Sequence, residues 1–290
     1  MVRADYPILL EPHLAQRVWA GASLGRGVGE AWDLSVHPHG PSLVRNGALK
    51  GRTLAEIASV CATDFGGPIR LLAKRLDCAQ ELSVQVHPME GDPKTEAWVA
   101  LRAKPGAGVY HGFSRPATAD EVRAAAKDGT LPKLLRFVPL EPGQAVFVPS
   151  GTVHAIGGGL VLFEIQQSAD TTYRLFDWGR ERELHLEAGL RCADLGMAPP
   201  LPEPRRIGEG HVRLVSCEHF HVDRIDAEGP FRLDPAGRFK ALLVVSGGAR
   251  IGTIEAGPDE TLLLPRPLGP TTLHPRHKVT ALAYGPGPGA

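Results

Sequence analysis

The sequence is short of several things, and each shortage excludes a class. It has 4 cysteines among 290 residues, at positions 61, 78, 192 and 217, with no CxxC spacing. Neither a disulfide framework nor a zinc ribbon is indicated, and buried, unpaired thiols are expected. Charge of one sign is not in excess either. Lys+Arg 32 balance Asp+Glu 32, for a formal net charge of +0, so no global electrostatic pull toward nucleic acid or an anionic membrane exists. No run approaches the ~18 uninterrupted apolar residues of a membrane span. The opening MVRADYPILLEPHL also lacks the apolar core of a signal peptide. A soluble, cytoplasmic protein with no nucleic-acid or membrane partner is expected.

What is abundant is glycine, at 34 residues, and proline, at 26. With 43% hydrophobic and 22% charged residues, the chain can bury a substantial core built of many short elements joined by tight turns. Helical patterning is sparse. Residues 53–62 start with Thr53 and carry Glu56 three positions on, a capping-box pattern. Residues 118–128 begin with Thr118, place Asp120 and Glu121 in the first turn, and stop at Gly129. Elsewhere short β-type runs recur, at 81–87, 97–101, 144–148, 160–166 and 171–176, then at 212–217, 220–225, 241–245, 261–264 and 279–284. That is the habit of antiparallel barrels or sandwiches. Four prolines between Ala198 and Arg205 predict an extended connector over 198–206, dividing a domain at 1–197 from a β domain at 207–290.

Two constellations carry candidate chemistry. In Ser83-Val-Gln-Val-His87, alternate residues share a face, so Ser83, Gln85 and His87 stand opposite Val84 and Val86. A polar face inside an apolar layer is costly unless its groups find partners or a metal. Glu96 follows within Lys94-Thr-Glu-Ala-Trp98, and His154 comes after a turn at Ser150-Gly151. Any one buried histidine ordinarily just finds a hydrogen-bond partner. As a set, two imidazoles, a carboxylate and an amide oxygen suit a divalent ion such as Zn²⁺. The second constellation spans 163–179 and holds Glu164, Gln166, Arg174 and Asp177 between apolar residues. One reading makes Arg174 half of a structural salt bridge. The other makes it a fixed cation for developing oxyanion charge, with Glu164 as a proton carrier.

Taken in order, several segments resemble the type I phosphomannose isomerases in their short bacterial form. They are Arg17-Val-Trp19 with Gly21, Gly29-Glu-Ala-Trp-Asp-Leu-Ser35, Leu76-Asp77, Leu82-Ser-Val-Gln-Val-His-Pro88, Lys94-Thr-Glu-Ala-Trp98, Val148-Pro-Ser-Gly-Thr-Val-His154 and Glu164-Ile-Gln-Gln-Ser-Ala-Asp-Thr-Thr-Tyr-Arg-Leu-Phe-Asp-Trp178. Together they cover roughly residues 6–195, while beyond Pro200 the likeness rests on Glu218-His-Phe-His-Val222 and the β pattern. The resemblance implies a mainly β, jelly-roll (cupin) core with a small helical insertion at about 105–135, and a second, degenerate cupin-like domain at the C-terminus. It implies one Zn²⁺ per chain held by His87, Glu96 and His154, with Gln85 as a fourth ligand in some members. It also implies catalytic roles for Arg174, Lys94 and Glu164. The loop from His87 to Glu96 is shorter than the family's usual one, and Trp19-Ala-Gly21 replaces Trp-Gly-Gly.

The expected activity is reversible isomerisation of mannose 6-phosphate and fructose 6-phosphate, a step of carbohydrate metabolism acting on a small sugar phosphate. A non-catalytic sugar-phosphate-binding cupin and a metal-dependent cupin oxygenase are the alternatives, and the oligomeric state is left open. Other eye-catching residues are read as structural. His37-Pro-His39 sits in a proline-glycine loop, His219 and His221 are read as a surface pair, and Arg180-Glu-Arg-Glu183 as a solvated charge cluster. Gly157–Gly159 has no following helix and is not a nucleotide loop.

Overall fold

A computed structural model of the chain describes residues 3–235 and 237–289. Strands dominate, and the pairs that build the site are antiparallel, so the mainly β reading is met. Two of the three α-helices start where the capping patterns place them. Leu54–Val60 follows Thr53 and Ala119–Asp128 follows Thr118. In each, the threonine hydroxyl accepts from the backbone N–H three residues on, and the glutamate there accepts from the threonine N–H. Such a cap contributes ~1 kcal/mol. The third helix, Leu186–Cys192, is not anticipated above, because its N-cap is His185, which makes no side-chain capping bond. No helix among the described residues is long and apolar enough to cross a membrane.

The chain forms two compact units. The first gathers Met1–Leu14, Ala31–Lys74 and Glu203–Ala290. Its sheet runs Arg205–Gly208, His211–Ser216, Phe220–Ala227, Thr271–Pro286, Lys240–Ile251, Thr261–Leu264, Ile8–Glu11, Leu43–Val44. The N-terminal strand enters by pairing Ile8 with Leu263 and Leu10 with Thr261. Leu9, Ile225, Leu242, Val244, Leu262 and Leu264 form part of its core.

The second unit comprises Ala15–Glu30 and Arg75–Pro202. It contains a five-stranded sheet in the order Tyr173–Phe176, Val84–Val86, His154–Ile156, Gly108–Phe113, Leu135–Pro139. A second layer includes Ala145–Val148, Glu96–Ala103 and Leu160–Gln167. Trp98, Val109, Val146, Ile156 and Leu162 fill the space between the layers. On the other side of the five-stranded sheet, Val122 and Ala125 of the helix Ala119–Asp128 pack with Val84, Val86 and Phe113. Val84 and Val86 thus point to the helix, which leaves Gln85 facing the opposite layer.

Candidate active site

The site is a product of strand register. Gln85 stands opposite Arg174 on one neighbour and His154 on the other, and His154 stands opposite His111. Directly opposed residues share a face, so one polar row crosses the sheet as Arg174, Gln85, His154, His111. From the facing layer comes Glu96, opposite Gln166, and two residues on Trp98, opposite Glu164. The turn to His154 uses Gly151 at φ +86, where a Cβ would lie 2.9 Å from Met89 Sδ. Its N–H donates to the His87 carbonyl at 2.9 Å, tying the two histidine segments together.

His87, Glu96 and His154 meet with one ligand atom each inside a 4.8 Å cluster, all three buried. His87 Nε2 lies 3.4 Å from Glu96 Oε2, and His154 Nε2 lies 3.3 Å from Oε1. Each ring is fixed through its other nitrogen. His87 Nδ1 donates to the Thr171 carbonyl at 2.9 Å and His154 Nδ1 to the Thr152 carbonyl at 2.8 Å. That leaves both Nε2 lone pairs turned toward the carboxylate, the arrangement that metal-ligating histidines adopt. Glu96 is 1% exposed, and apart from the Lys94 ammonium 3.1 Å from Oε2 its oxygens have no partner at hydrogen-bond angles. A buried carboxylate with so few hydrogen bonds is costly, and a divalent cation would satisfy it together with both imidazoles. The donor set fits a borderline ion such as zinc. Gln85 is next to it: its amide N–H donates to His154 Nε2 at 3.2 Å, and its Oε1 accepts from the Ser83 hydroxyl at 3.2 Å.

Of the other candidate residues, Lys94 touches this cluster. Lys94 Nζ is 3.1 Å from Glu96 Oε2 and 3.4 Å from His87 Nε2. Burial pulls its pKa down, but the carboxylates of Glu96 and Glu164 outweigh that and hold it above the ordinary lysine value. Burial would raise the Glu96 carboxyl, but Lys94 and His87 keep it well below the usual range. Burial likewise pushes His154 down to about 3, so its ring is neutral. Glu164 Oε2 accepts from Trp98 Nε1 at 3.0 Å, and Trp98 in turn packs edge-on against His154 with centroids 5.4 Å apart. Arg174 donates through Nη1 to the Glu183 carbonyl at 2.7 Å, and its buried Nε has no partner.

Among the described residues Arg174 makes no salt bridge, so that alternative is not realised. Asp177 is instead engaged by Arg182 at 2.6 Å and Arg180 at 3.2 Å. This also corrects the reading of 180–183 as solvated, because its two arginines are anchored and Arg180 additionally reaches the Glu81 carbonyl at 2.6 Å.

Several supporting residues escape a linear reading. Asp92 receives the Thr171 hydroxyl at 2.7 Å and the Thr171 N–H at 3.2 Å, so it holds the loop whose carbonyl orients His87. His111 donates from Nε2 to the Phe147 carbonyl at 2.8 Å, and its Nδ1 accepts from Arg136 at 2.7 Å. It thereby ties the five-stranded sheet to the strand beside Glu96. Both links are long-range, and no local spacing announces them.

His111 also carries a pH signature. Burial lowers its pKa from 6.5 to about 4. Between those values the unfolded chain binds the proton and the folded chain does not, so stability is full above pH 6.5 and falls as the pH drops toward about 4. The expected loss is on the order of 3 kcal/mol. His154 and His221 slope in the same direction. The His111 share is therefore read as the part of the slope, in urea unfolding of metal-free protein, that disappears in His111→Gln.

Known proteins match this chain in sequence and in fold. The model of the phosphomannose isomerase type I catalytic domain matches residues 18–106. The mannose-6-phosphate isomerase ManA of Bacillus subtilis is 33% identical over 278 residues, spanning 84% of this chain and 87% of its own. The crystal structure of the mannose 6-phosphate isomerase from Bacillus subtilis superposes with a TM-score of 0.88 at 28% identity, over 96% of this chain and 99% of that one. A zinc-bound mannose 6-phosphate isomerase structure shares the fold, with a TM-score of 0.80 at 16% identity over 97% and 100% of the two chains. Identity of 33% over 84% of the chain is more than a shared fold alone requires, and the chain belongs to the type I phosphomannose isomerase family.

Proposed function

We propose that the protein is a mannose-6-phosphate isomerase, interconverting mannose 6-phosphate and fructose 6-phosphate through an enediol or enediolate, with one zinc ion per chain. The observation that carries this reading is the pair of imidazole Nε2 atoms converging on the buried carboxylate of Glu96, in a chain of this family. His87, Glu96 and His154 would hold the ion, with Gln85 beside them. Bound there, zinc supplies Lewis acidity toward the sugar oxygens.

The remaining chemistry falls to the chain's own side chains. Moving the carbonyl between C1 and C2 takes a proton from one carbon and returns it to the other. Glu164, oriented by the Trp98 indole, is the proton carrier. Arg174 meets the negative charge that develops on oxygen. Lys94 remains cationic beside Glu96 and serves the substrate's phosphate or its ring opening. The partner is a small sugar phosphate. We place the enzyme in the cytoplasm, a setting that suits cysteines joined in no disulfide among the described residues.

A coupled assay before and after chelation tests the reading. Mannose 6-phosphate turnover should be lost with the metal and return when zinc is added back. Metal-replete protein without turnover overturns the proposal. Tight fructose 6-phosphate binding in that case would indicate a binding protein, and iron in place of zinc an oxygenase.

A further inference from the structure

The first unit holds a polar group that isomerase chemistry leaves unused. Along Phe220–Ala227, His221 and Asp223 lie on the same face as Ile225, which belongs to the apolar core. His221 is therefore drawn inward and is not half of a surface pair. On the next strand it faces Gly285, and Asp223 faces Ala283. Beyond that strand Ala241 pairs with Tyr284, so Lys240, one residue earlier, stands beside Gly285 from the other side. Lys240 and His221 thus flank a position with no side chain. A Cβ at Gly285 would lie 3.4 Å from His221 Cε1, so the imidazole leans over the glycine.

The charges here are unevenly paired. Asp223 is 1% exposed and already taken, by a two-pronged contact from Arg213 and by His211 Nε2 at 3.1 Å. Lys240 has no hydrogen bond or ion pair among the described residues, and Asp223 and Asp234 act on it only from a distance. Burial, and then Arg213, hold its pKa below the lysine norm despite those carboxylates. Arg213 commits Nε and Nη2 to Asp223, and its Nη1 makes no hydrogen bond among the described residues. His221 donates from Nδ1 to the Pro286 carbonyl at 3.2 Å, which leaves Nε2 buried without a partner. Two cations with unused donors therefore stand on the sheet face that carries Gly285 and Ala283, and both act electrostatically on His221. The side chains of Arg213 and His211, 26% and 24% exposed, keep one side open to solvent.

We propose that Lys240 and Arg213 form a binding site for a small phosphate-bearing anion, separate from the isomerase centre. A guanidinium N–H and an ammonium together suit the several oxygens of a phosphate. Binding has a local readout. His221 is held down to about 4 by burial first, then by Lys240, with Arg213 adding to the effect and Asp223 opposing it. An anion that neutralises the two cations should raise it.

The test follows His221 ring resonances by NMR in the full-length protein, assigned with His221→Gln, as inorganic phosphate is added at constant ionic strength. A saturable rise in the His221 pKa is expected, and Lys240→Met should weaken the apparent affinity by ~10-fold or more. Lys240→Arg should keep the response. Glycerol 3-phosphate in parallel separates a site open to esters from one that takes only the free ion. An equal response to chloride, no response in the wild-type protein, or an undiminished response in correctly folded Lys240→Met would overturn the proposal.

Discussion

Replacing His154 with alanine is expected to strip the protein of its metal and of nearly all isomerase turnover. The ring is neutral and buried, and its Nε2 points at Glu96 because Nδ1 is tied to the Thr152 carbonyl. Losing a partner that merely orients a ligand already costs ~10–100-fold in metal affinity or activity, so losing a ligand should cost more than ~100-fold. His87→Ala should behave alike, since its ring is held in the same manner by the Thr171 carbonyl. Gln85→Ala should cost less, because a neutral amide oxygen is a weaker donor than an imidazole or a carboxylate. Elemental analysis of purified variants checks this independently of activity. Full zinc occupancy in His154→Ala would refute the ligand assignment.

The contrast between His87 and Asp92 shows how far local pattern reaches. Two-residue alternation puts Ser83, Gln85 and His87 on one face, and the structure seats Gln85 and His87 at the cluster with Ser83 bonded to Gln85. Capping chemistry is equally local, so the starts at Thr53 and Thr118 are legible from four residues each. Asp92 acts on His87 only through Thr171, a residue brought near by loop packing. The row from Arg174 to His111 likewise depends on which strands become neighbours. Pairing of Ile8–Glu11 with Thr261–Leu264 is the extreme case, joining the two ends of the chain. Period and propensity identify strands, but pairing is decided by the total burial of the folded sheet. The family resemblance reached Glu96 and His154 because it carries that tertiary information, which spacing alone does not.

Arg174→Ala should keep its zinc and its fold while losing ~10²–10³-fold in kcat, or roughly 2.7–4 kcal/mol of transition-state stabilisation. The guanidinium leaves its strand on the face of Gln85 and has a single hydrogen bond, from Nη1 to the Glu183 carbonyl. Burial, then Arg182, press its pKa below the usual arginine value, although a guanidinium remains protonated at any physiological pH. A cation in that state gains most when negative charge appears near it. An interaction that grows as the enediolate forms lowers the barrier without tightening ground-state binding, so its removal falls on kcat and leaves KM little changed. Arg174→Lys should recover little, since an ammonium cannot reproduce the planar fork of donors. A purely structural arginine would give the opposite pattern, a lowered melting temperature with near-normal kcat in the folded fraction. Arg174 has no carboxylate within ion-pair distance among the described residues, and Asp177 is held by Arg180 and Arg182, so little stability should be lost with it. Thermal melting beside steady-state kinetics separates the two cases, and a stable variant with raised KM and unchanged kcat would move Arg174 from the developing charge to the substrate's phosphate.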